Sequence, residues 1–514
     1  MLYRSIWFLV AVLLLWLVPV WGRSKAALRS EQGKQLVAAQ AVQEQEEETK
    51  PIKDQTAEPE VADDRQQGSE TAKDIMDQPL SSSNTGKGLE EEFGERAVSA
   101  AFTLRGQVWN RFAQDTKEHN RFEDDRYNHL EVQLEGKYVL TQTLQFVLGI
   151  KANYFAYNNN SDWHHDGEVS LYNAYVNLAL SNVNVKVGNQ VVLWGKADEI
   201  SPLDNLNPED MRDGFVRRRV ERKIPIPMVH VEWSQDVYKL QGIFIPFFKR
   251  AKLDLRGTDW AFFDHIDDEI GPFAVVEEKP PKTLGNSEVG VRFAGKVRAL
   301  DYAVSYLRTR ADLPAVDSLT TPPGFQLPIP RPTVRDLARF AQATGQTIHL
   351  THNHQDVFGF EFETVLGSIG VRGDLAYVAD KSFLTRALRA INRPVFQHVM
   401  GADYNGPSNL YVNFQFAQSV IQDYDKTILS FTKLTNEFYG TISKEVFANN
   451  LKVAFRYFYN ITRASSYYNP SVVVQYWPNV TIELGGDVLG GPRDTVPGFF
   501  RGNDQVYVTL KIFF

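Results

Sequence analysis

The chain has 514 residues, no cysteine and a formal net charge of −8. The missing cysteine excludes a disulfide framework and a lipidated N-terminal cysteine. The charge excludes a basic nucleic-acid footprint, and no nucleic-acid partner is expected: residues 23–95 hold nine Lys and Arg against 17 Asp and Glu, while residues 96–514 hold 45 basic and 46 acidic residues.

In chain order, the first element is MLYRSIWFLVAVLLLWLVPVWG. Arg4, the apolar run from Ile6 to Val18, and Val20 and Gly22 before a plausible cut form the three parts of a secretory signal peptide. The run is shorter than the roughly 20 residues that span a bilayer. Residues 1–22 are therefore read as a cleaved signal rather than an anchor. Residues 23–96 contain one aromatic, Phe93, and are rich in Glu, Gln, Ala, Ser and Asp. Such a segment cannot bury enough apolar surface to offset its ordering entropy. It reads as an acidic periplasmic extension, disordered or partly helical.

From residue 97 the pattern changes to period two. In NHLEVQLEGKYVL, Leu130, Val132, Leu134, Tyr138 and Leu140 share one face, and Glu131, Gln133, Glu135 and Lys137 the other. That is a strand with one apolar and one charged face. Comparable segments follow at 98–111, 128–140, 143–156, 168–180, 183–194, 227–235, 236–246, 286–296, 299–309, 356–366, 368–378, 396–406, 408–420, 434–446, 449–459, 469–477, 479–488 and 503–514. They come in pairs joined by very short links, with long polar passages between the pairs. Short turns on one side and long loops on the other mark an outer-membrane barrel. Lipid offers no partner to an open sheet edge, so the strands must close. The predicted fold is all-β: a closed antiparallel transmembrane β-barrel over 97–514, of about 18 strands, with 16 as the neighbouring even count. An even count puts both barrel ends on the short-turn, periplasmic side.

The inward face is then charged. Arg105, Glu131, Glu135, Lys137, Lys151, Lys186, Arg292, Glu361, Glu363 and Arg372 are the predicted lumen wall, and such a wall needs water. The last strand, QVYVTLKIFF, ends in Phe514, which resembles the signal outer-membrane barrels present to their insertion machinery.

The third long loop, 195–226, has Asp198, Glu199, Asp204, Glu209, Asp210 and Asp213 in its first half and Arg217, Arg218, Arg219, Arg222 and Lys223 in its second. Pro202 and Pro208 fix φ, and Asp204, Asn205, Asn207 and Asp210 supply turn-forming side chains. The loop is therefore expected to be ordered and folded inward as a constriction, where facing charges set selectivity. The residues expected there are Trp194, Lys196, Asp198, Asp204, Asn207, Asp210, Arg212, Arg217, Arg218 and Arg219.

The stretch VGNQVVLWGKADEISPLDNLNPEDMRDGFVRRRVERKIPIPMVHVEW resembles the signature of a family of uncharacterised proteobacterial porin-like outer-membrane proteins. The pattern is a strand running into Trp-Gly, then an acidic residue, Asn-Pro-x-Asp, and basic residues before Ile-Pro. IFIPFFKRAKLDLRGTDWAFF carries a second part of it. The resemblance implies a porin-like barrel in the outer membrane of a Gram-negative bacterium and names no solute.

Other clusters are weaker. His349, His352 and His354 in HLTHNHQD, and Asp264, Asp267 and Asp268 in FFDHIDDE, are metal-ligating residue types without a metal-site frame. No metal or other cofactor is expected. RPTVRDLARFAQATG puts Val334, Leu337, Ala338 and Ala341 on one helical face. There is no Gly-x-Ser-x-Gly elbow, phosphate loop or zinc-protease helix, so no enzyme activity is expected. The function expected from sequence is a porin-like channel for small or elongated solutes, narrowed by the third loop. Two alternatives stand beside it. One is a structural or accessory barrel that binds an envelope partner through 23–96. The other is a barrel hydrolase.

Overall fold

A computed structural model describes residues 101–117, 125–159, 162–263 and 270–514. The predicted signal peptide 1–22, the extension 23–96 and the three aspartates of FFDHIDDE lie outside the described residues, as does the whole of a separate unit, Met1–Ser69.

Eighteen strands form one antiparallel sheet closed on itself. They are β1 (Ala101–Asp115), β2 (Arg126–Val139), β3 (Leu144–Asn159), β4 (Asp162–Ala179), β5 (Val183–Gln190), β6 (Ile226–Gln235) and β7 (Tyr238–Ile245). After a short strand β8 (Val275–Glu277) outside the ring come β9 (Glu288–Val297) and β10 (Leu300–Arg310). Two more short strands follow, β11 (Ala315–Val316) and β12 (Ile348–Thr351), also outside the ring. The ring continues with β13 (His354–Leu366), β14 (Ile369–Leu384), β15 (Ala390–Gly406), β16 (Leu410–Ile421) and β17 (Leu434–Val446). It ends with β18 (Leu451–Asn460), β19 (Ser465–Trp477), β20 (Val480–Gly490) and β21 (Gln505–Phe513). Each ring strand pairs with its neighbours in sequence. The ring closes where Gln107–Asp115 of β1 pairs with Gln505–Phe513 of β21.

The pleat explains the two faces. On β21, Gln505, Tyr507 and Thr509 are buried while Val506 and Val508 are exposed. The same split leaves Leu104, Leu148, Ile150, Val289, Val291, Val453 and Phe455 on the outside. A continuous apolar belt of this kind is far larger than a water-facing surface carries, and it fits lipid. Aromatic residues rim the belt: Trp233, Tyr238, Tyr404, Tyr476 and Trp477 near the short turns, and Tyr154, Trp163 and Tyr459 near the other end. Rings with an apolar body and a polar edge suit the bilayer interface. The fold is thus the closed 18-stranded transmembrane barrel expected from period two.

Two strand pairs and one single strand run further than their alternation foretold. β3 and β4 reach 16 and 18 residues, β14 and β15 reach 16 and 17, and β19 begins at Ser465. A tilted spanning strand needs roughly 9–11 residues, so these hairpins stand beyond the apolar belt. Their polar sequence reads as loop because period two vanishes where neither face meets lipid.

On the same side, β8, β11 and β12 form a separate three-stranded sheet. The helix Val334–Thr344 packs on it through Val334, Ala338 and Ala341, against Phe263, Ile348 and Leu350. Asp336 caps the helix by accepting from the Thr333 backbone N–H at 2.8 Å and its hydroxyl at 2.9 Å. Leu337 and Phe340 face a second apolar cluster with Leu319, Leu327, Leu388 and Leu429. The helix therefore has two apolar contacts where its sequence suggested one.

The interior also departs from the wet wall expected. Inward Ile226, Met228, Ile243, Ile245, Leu307, Val357, Ala376 and Val378 surround Trp194, Leu203 and Leu206 in an apolar cluster inside the ring. Toward the long loops, β6 and β7 are apolar on both faces. Val229, Val231 and Phe244 alternate with the buried residues.

Candidate functional site

The connection between β5 and β6, residues 191–225, is the loop that brings charged residues together. It is anchored at its neck. Asn207, fully buried, donates to the carbonyls of Gln190 at 3.0 Å and Ile224 at 2.9 Å, and accepts from the Val192 N–H at 2.9 Å. One side chain so ties the outgoing and returning chain. Gly195 makes the turn after Trp194 with φ +94°, and a Cβ there would lie 2.0 Å from the Ser201 hydroxyl. No other residue fits that backbone.

The outgoing half crosses the lumen. The Gly195 N–H donates to Glu361 of β13 at 2.8 Å. Those of Lys196 and Ala197 donate to Asp374 of β14 at 2.8 and 3.0 Å. Asp198 accepts from Arg372 of β14 at 2.7 Å, and from Asn413 and Gln415 of β16 at 2.8 and 3.1 Å. Glu199 accepts from Thr441 of β17 at 3.0 Å. In a ring of 18 strands β17 lies nine places from β5 and is therefore opposite to it. Lys196 pairs with Glu363 at 2.9 Å.

The returning half binds the remaining arc. Arg212 pairs with Asp210 at 2.6 Å and Glu168 of β4 at 3.1 Å. Asp213 accepts from Tyr127 and lies 2.8 Å from His129 Nδ1, both on β2. Arg217 pairs with Glu131 of β2 at 3.4 Å and lies over the Trp109 ring at 4.5 Å. The Val216 carbonyl accepts from Arg456 of β18 and, at 3.4 Å, from Tyr467 of β19. Lys511 of β21 pairs with Glu221 at 3.0 Å. Within the loop, Arg219 pairs with Asp204, Lys223 with Asp204 at 3.1 Å, and Arg222 with Glu209 at 2.8 Å.

Burial and pairing set the ionisation of these groups. Burial pushes the Asp213 carboxyl up to about 6, with Arg217 and Arg111 only partly opposing it. Burial also acts on Asp210, but the Arg212 hydrogen bond and charge outweigh it and hold Asp210 well below the usual carboxylate range. Glu221 is likewise held low, because Lys511 and Arg217 outweigh its burial.

The predicted site residues thus separate into groups. Asp204, Asp210, Arg212, Arg217 and Arg219 are tied into ion pairs, and Trp194 and Asn207 are scaffold inside the loop. Asp198 and Arg218 are exposed, and Lys196 is half-buried. Of the wall residues, Glu131, Glu361, Glu363 and Arg372 hold the loop, and Lys151 supports Glu131 at 2.6 Å. Arg292 pairs with Glu361. Arg105 pairs with Glu135, its Nε at 2.9 Å. Lys186 lies 5.6 Å from the Tyr175 ring centre, and Lys137 is half-buried. Asp374, Asn413, Gln415, Thr441 and Lys511 are loop anchors absent from the predicted set. All sit on the inward parity of their strands, which was the available signal.

The three histidines of HLTHNHQD diverge. His349 bonds Glu278 at 2.8 Å, His352 bonds Glu277 at 3.0 Å and the Ala311 carbonyl at 2.8 Å, and His354 starts β13. Among the described residues no three His, Asp or Glu side chains converge as a metal site. Phe514 closes the ring by main-chain bonds with Gly106 at 2.7 and 3.0 Å, its own ring exposed.

A closed barrel with an apolar belt and a charged loop through its lumen defines a porin-like transmembrane β-barrel. The chain belongs to the family described as "Protein of unknown function (DUF1302)", whose model matches residues 80–513. No curated protein matches the chain. Among solved structures it is similar to Salmonella typhi OmpF in complex with daunomycin, at 10% identity and TM-score 0.37, covering 80% of this chain and 97% of that one. It is similar to the outer membrane channel DcaP of Acinetobacter baumannii, at 8% identity and TM-score 0.38, covering 81% and 97%. Pseudomonas putida OprB matches at 8% identity and TM-score 0.33, covering 80% and 92%.

Proposed function

We propose that the protein is a porin-like channel in the outer membrane of a Gram-negative bacterium, passing small or elongated solutes along a lumen narrowed by the loop 195–226. The observation that carries this reading is the span of the loop, from its root at β5 to Thr441 on the opposite wall. A loop fixed across a ring divides the lumen, and its water-facing charges, the exposed Asp198 and Arg218 and the half-buried Lys196, meet the solute. Phe514 serves as the insertion signal, and the extension 23–96 binds a periplasmic partner. The tight pairing of the loop also favours a second reading, a structural or accessory barrel that stays shut.

Planar-bilayer conductance of the purified full chain, alone and as Asp374→Ala, separates the two. Asp374 accepts two loop N–H groups, and each buried donor left unsatisfied costs about 1–3 kcal/mol. The open fraction should therefore rise by about tenfold or more in Asp374→Ala, since tenfold is about 1.4 kcal/mol. If both the native chain and Asp374→Ala are ion-tight, the channel reading falls and the accessory one stands.

A further inference from the structure

Inside the mouth, on the long-loop side, a cavity of about 240 Å³ lies between the β3–β4 hairpin and the segment Asp254–Thr258. The inward parity of the hairpin builds one wall, with Phe155 opposite Asp166 and Tyr157 opposite His164. Phe155 and Tyr157 are buried, whereas His164 and Asp166 are exposed. Arg212, from the loop that crosses the lumen, forms part of the lining, its guanidinium 4.4 Å from the Phe155 ring centre.

The charges around this cavity are unequally satisfied. Arg212 is fully engaged: it donates to Asp210 through Nε at 2.9 Å and NH2 at 2.6 Å, and pairs with Glu168 at 3.1 Å. Lys252 gives its ammonium to Glu168 at 2.6 Å. Arg256 also lines the cavity, donating to the Phe273 carbonyl at 3.1 Å and lying over that ring at 4.8 Å. Asp254 has a hydrogen bond from the Thr258 hydroxyl at 3.4 Å, and Asp166 stands 3.9 Å from Arg212. Burial, reinforced by Asp210, Asp213 and Asp166, pushes the Asp254 carboxyl up to about 6, against the pull of Arg212. A desolvated carboxylate with no ion pair among the described residues, in a cavity with aromatic walls, is complementary to positive charge.

We propose that this cavity binds an organic cation, with an ammonium group ion-paired to Asp254 and Asp166 and the apolar body against Tyr157. An anion would compete with Asp210 and Glu168 for an Arg212 already engaged. A bare metal ion is disfavoured because no three ligating side chains converge here among the described residues. Arg212 forms part of the lining, so the bound cation sits beside the loop that divides the lumen. Binding does not require conduction, so a silent bilayer recording leaves this proposal standing.

The test is titration calorimetry of the detergent-solubilised full chain at pH 7.5 with benzylammonium, benzyl alcohol and benzoate, which match in shape and differ in charge. Benzylammonium should bind about tenfold tighter than either, as a desolvated cation–π contact and a charge-assisted bond imply. Asp254→Asn should weaken it by about tenfold, while Asp254→Glu, which keeps the charge, should retain most of it. Asp317→Asn, an exposed carboxylate outside the cavity, should leave binding unchanged. Equal affinity for the three probes in the native chain, or no saturable binding of benzylammonium, overturns the proposal without any variant. Unchanged binding in Asp254→Asn overturns the role given to that carboxylate.

Discussion

Asn207 shows how much one buried polar side chain can decide. It spends both amide protons and its oxygen on three main-chain groups that belong to opposite ends of the same loop. Replacing it with alanine leaves a buried N–H and two buried carbonyls without this partner, at about 3 kcal/mol or more in total. The barrel should still close, because no ring pairing involves Asn207. The loop should loosen, so trypsin should cut Asn207→Ala near Arg217 or Arg218 several-fold faster than the native chain in detergent, with the band still heat-modifiable. Equal protection in both chains would mean that the wall anchors alone hold the loop. The sequence announces a turn at NLNPED, and Asn205 does make one, donating to the Pro202 carbonyl at 2.7 Å. It does not announce the neck staple, because Gln190 and Ile224 are distant in sequence and only the folded loop brings them to Asn207.

At the scale of elements, the loop is a lid held by two unlike halves. The outgoing half presents backbone N–H groups to wall carboxylates, and the returning half presents side chains to β2, β4 and β21 and the Val216 carbonyl to β18. Docking therefore depends on pH through Asp213. Its carboxyl lies near 6 when docked and returns to about 3.9 when the loop swings into water. The docked loop binds the proton more tightly, so acid favours docking. The gain is complete below about pH 4 and is lost as pH rises through 6, a difference of up to about 3 kcal/mol. The pairs of Asp210 and Glu221, held low, persist throughout that window. Bilayer conductance should accordingly fall between pH 7.5 and pH 5, and Asp213→Asn, which mimics the protonated acid, should flatten the response. Conductance that rises on acidification would contradict this account, as would an Asp213→Asn profile identical to the native one. Much of this scale is readable from residues: most ring strands show as period two, and the helix from Val334 as period 3.6. The small sheet is not, since β8, β11 and β12 have three, two and four residues, too few for any period to register. Nor is the interior cluster around Trp194, because alternation read alone assigns apolar side chains to lipid and leaves none for the lumen.

For the whole molecule, closure is the condition on which everything else rests. The ring begins at Ala101, paired with Val139, and locks where Gln107–Asp115 meets Gln505–Phe513. Among the described residues every ring strand already has a partner on both sides. Even strand number brings β1 and β21 together on the short-turn side, as the loop-length asymmetry foretold. Deleting 23–96 while keeping residues 1–22 should therefore leave barrel assembly and conductance unchanged within about a factor of two, the ring's lipid-facing constraint being met by the 18 described strands. Deleting 505–514 should have the opposite effect. It strips the partners from β1 and β20 together, and each main-chain group left bare in lipid costs several kcal/mol. Heat-modifiable migration of the membrane-extracted protein reads both outcomes, with bilayer conductance as the second measure for the first. If the 23–96 deletion abolishes conductance while the band stays heat-modifiable, the extension is part of the working channel, and the barrel alone is not the functional unit.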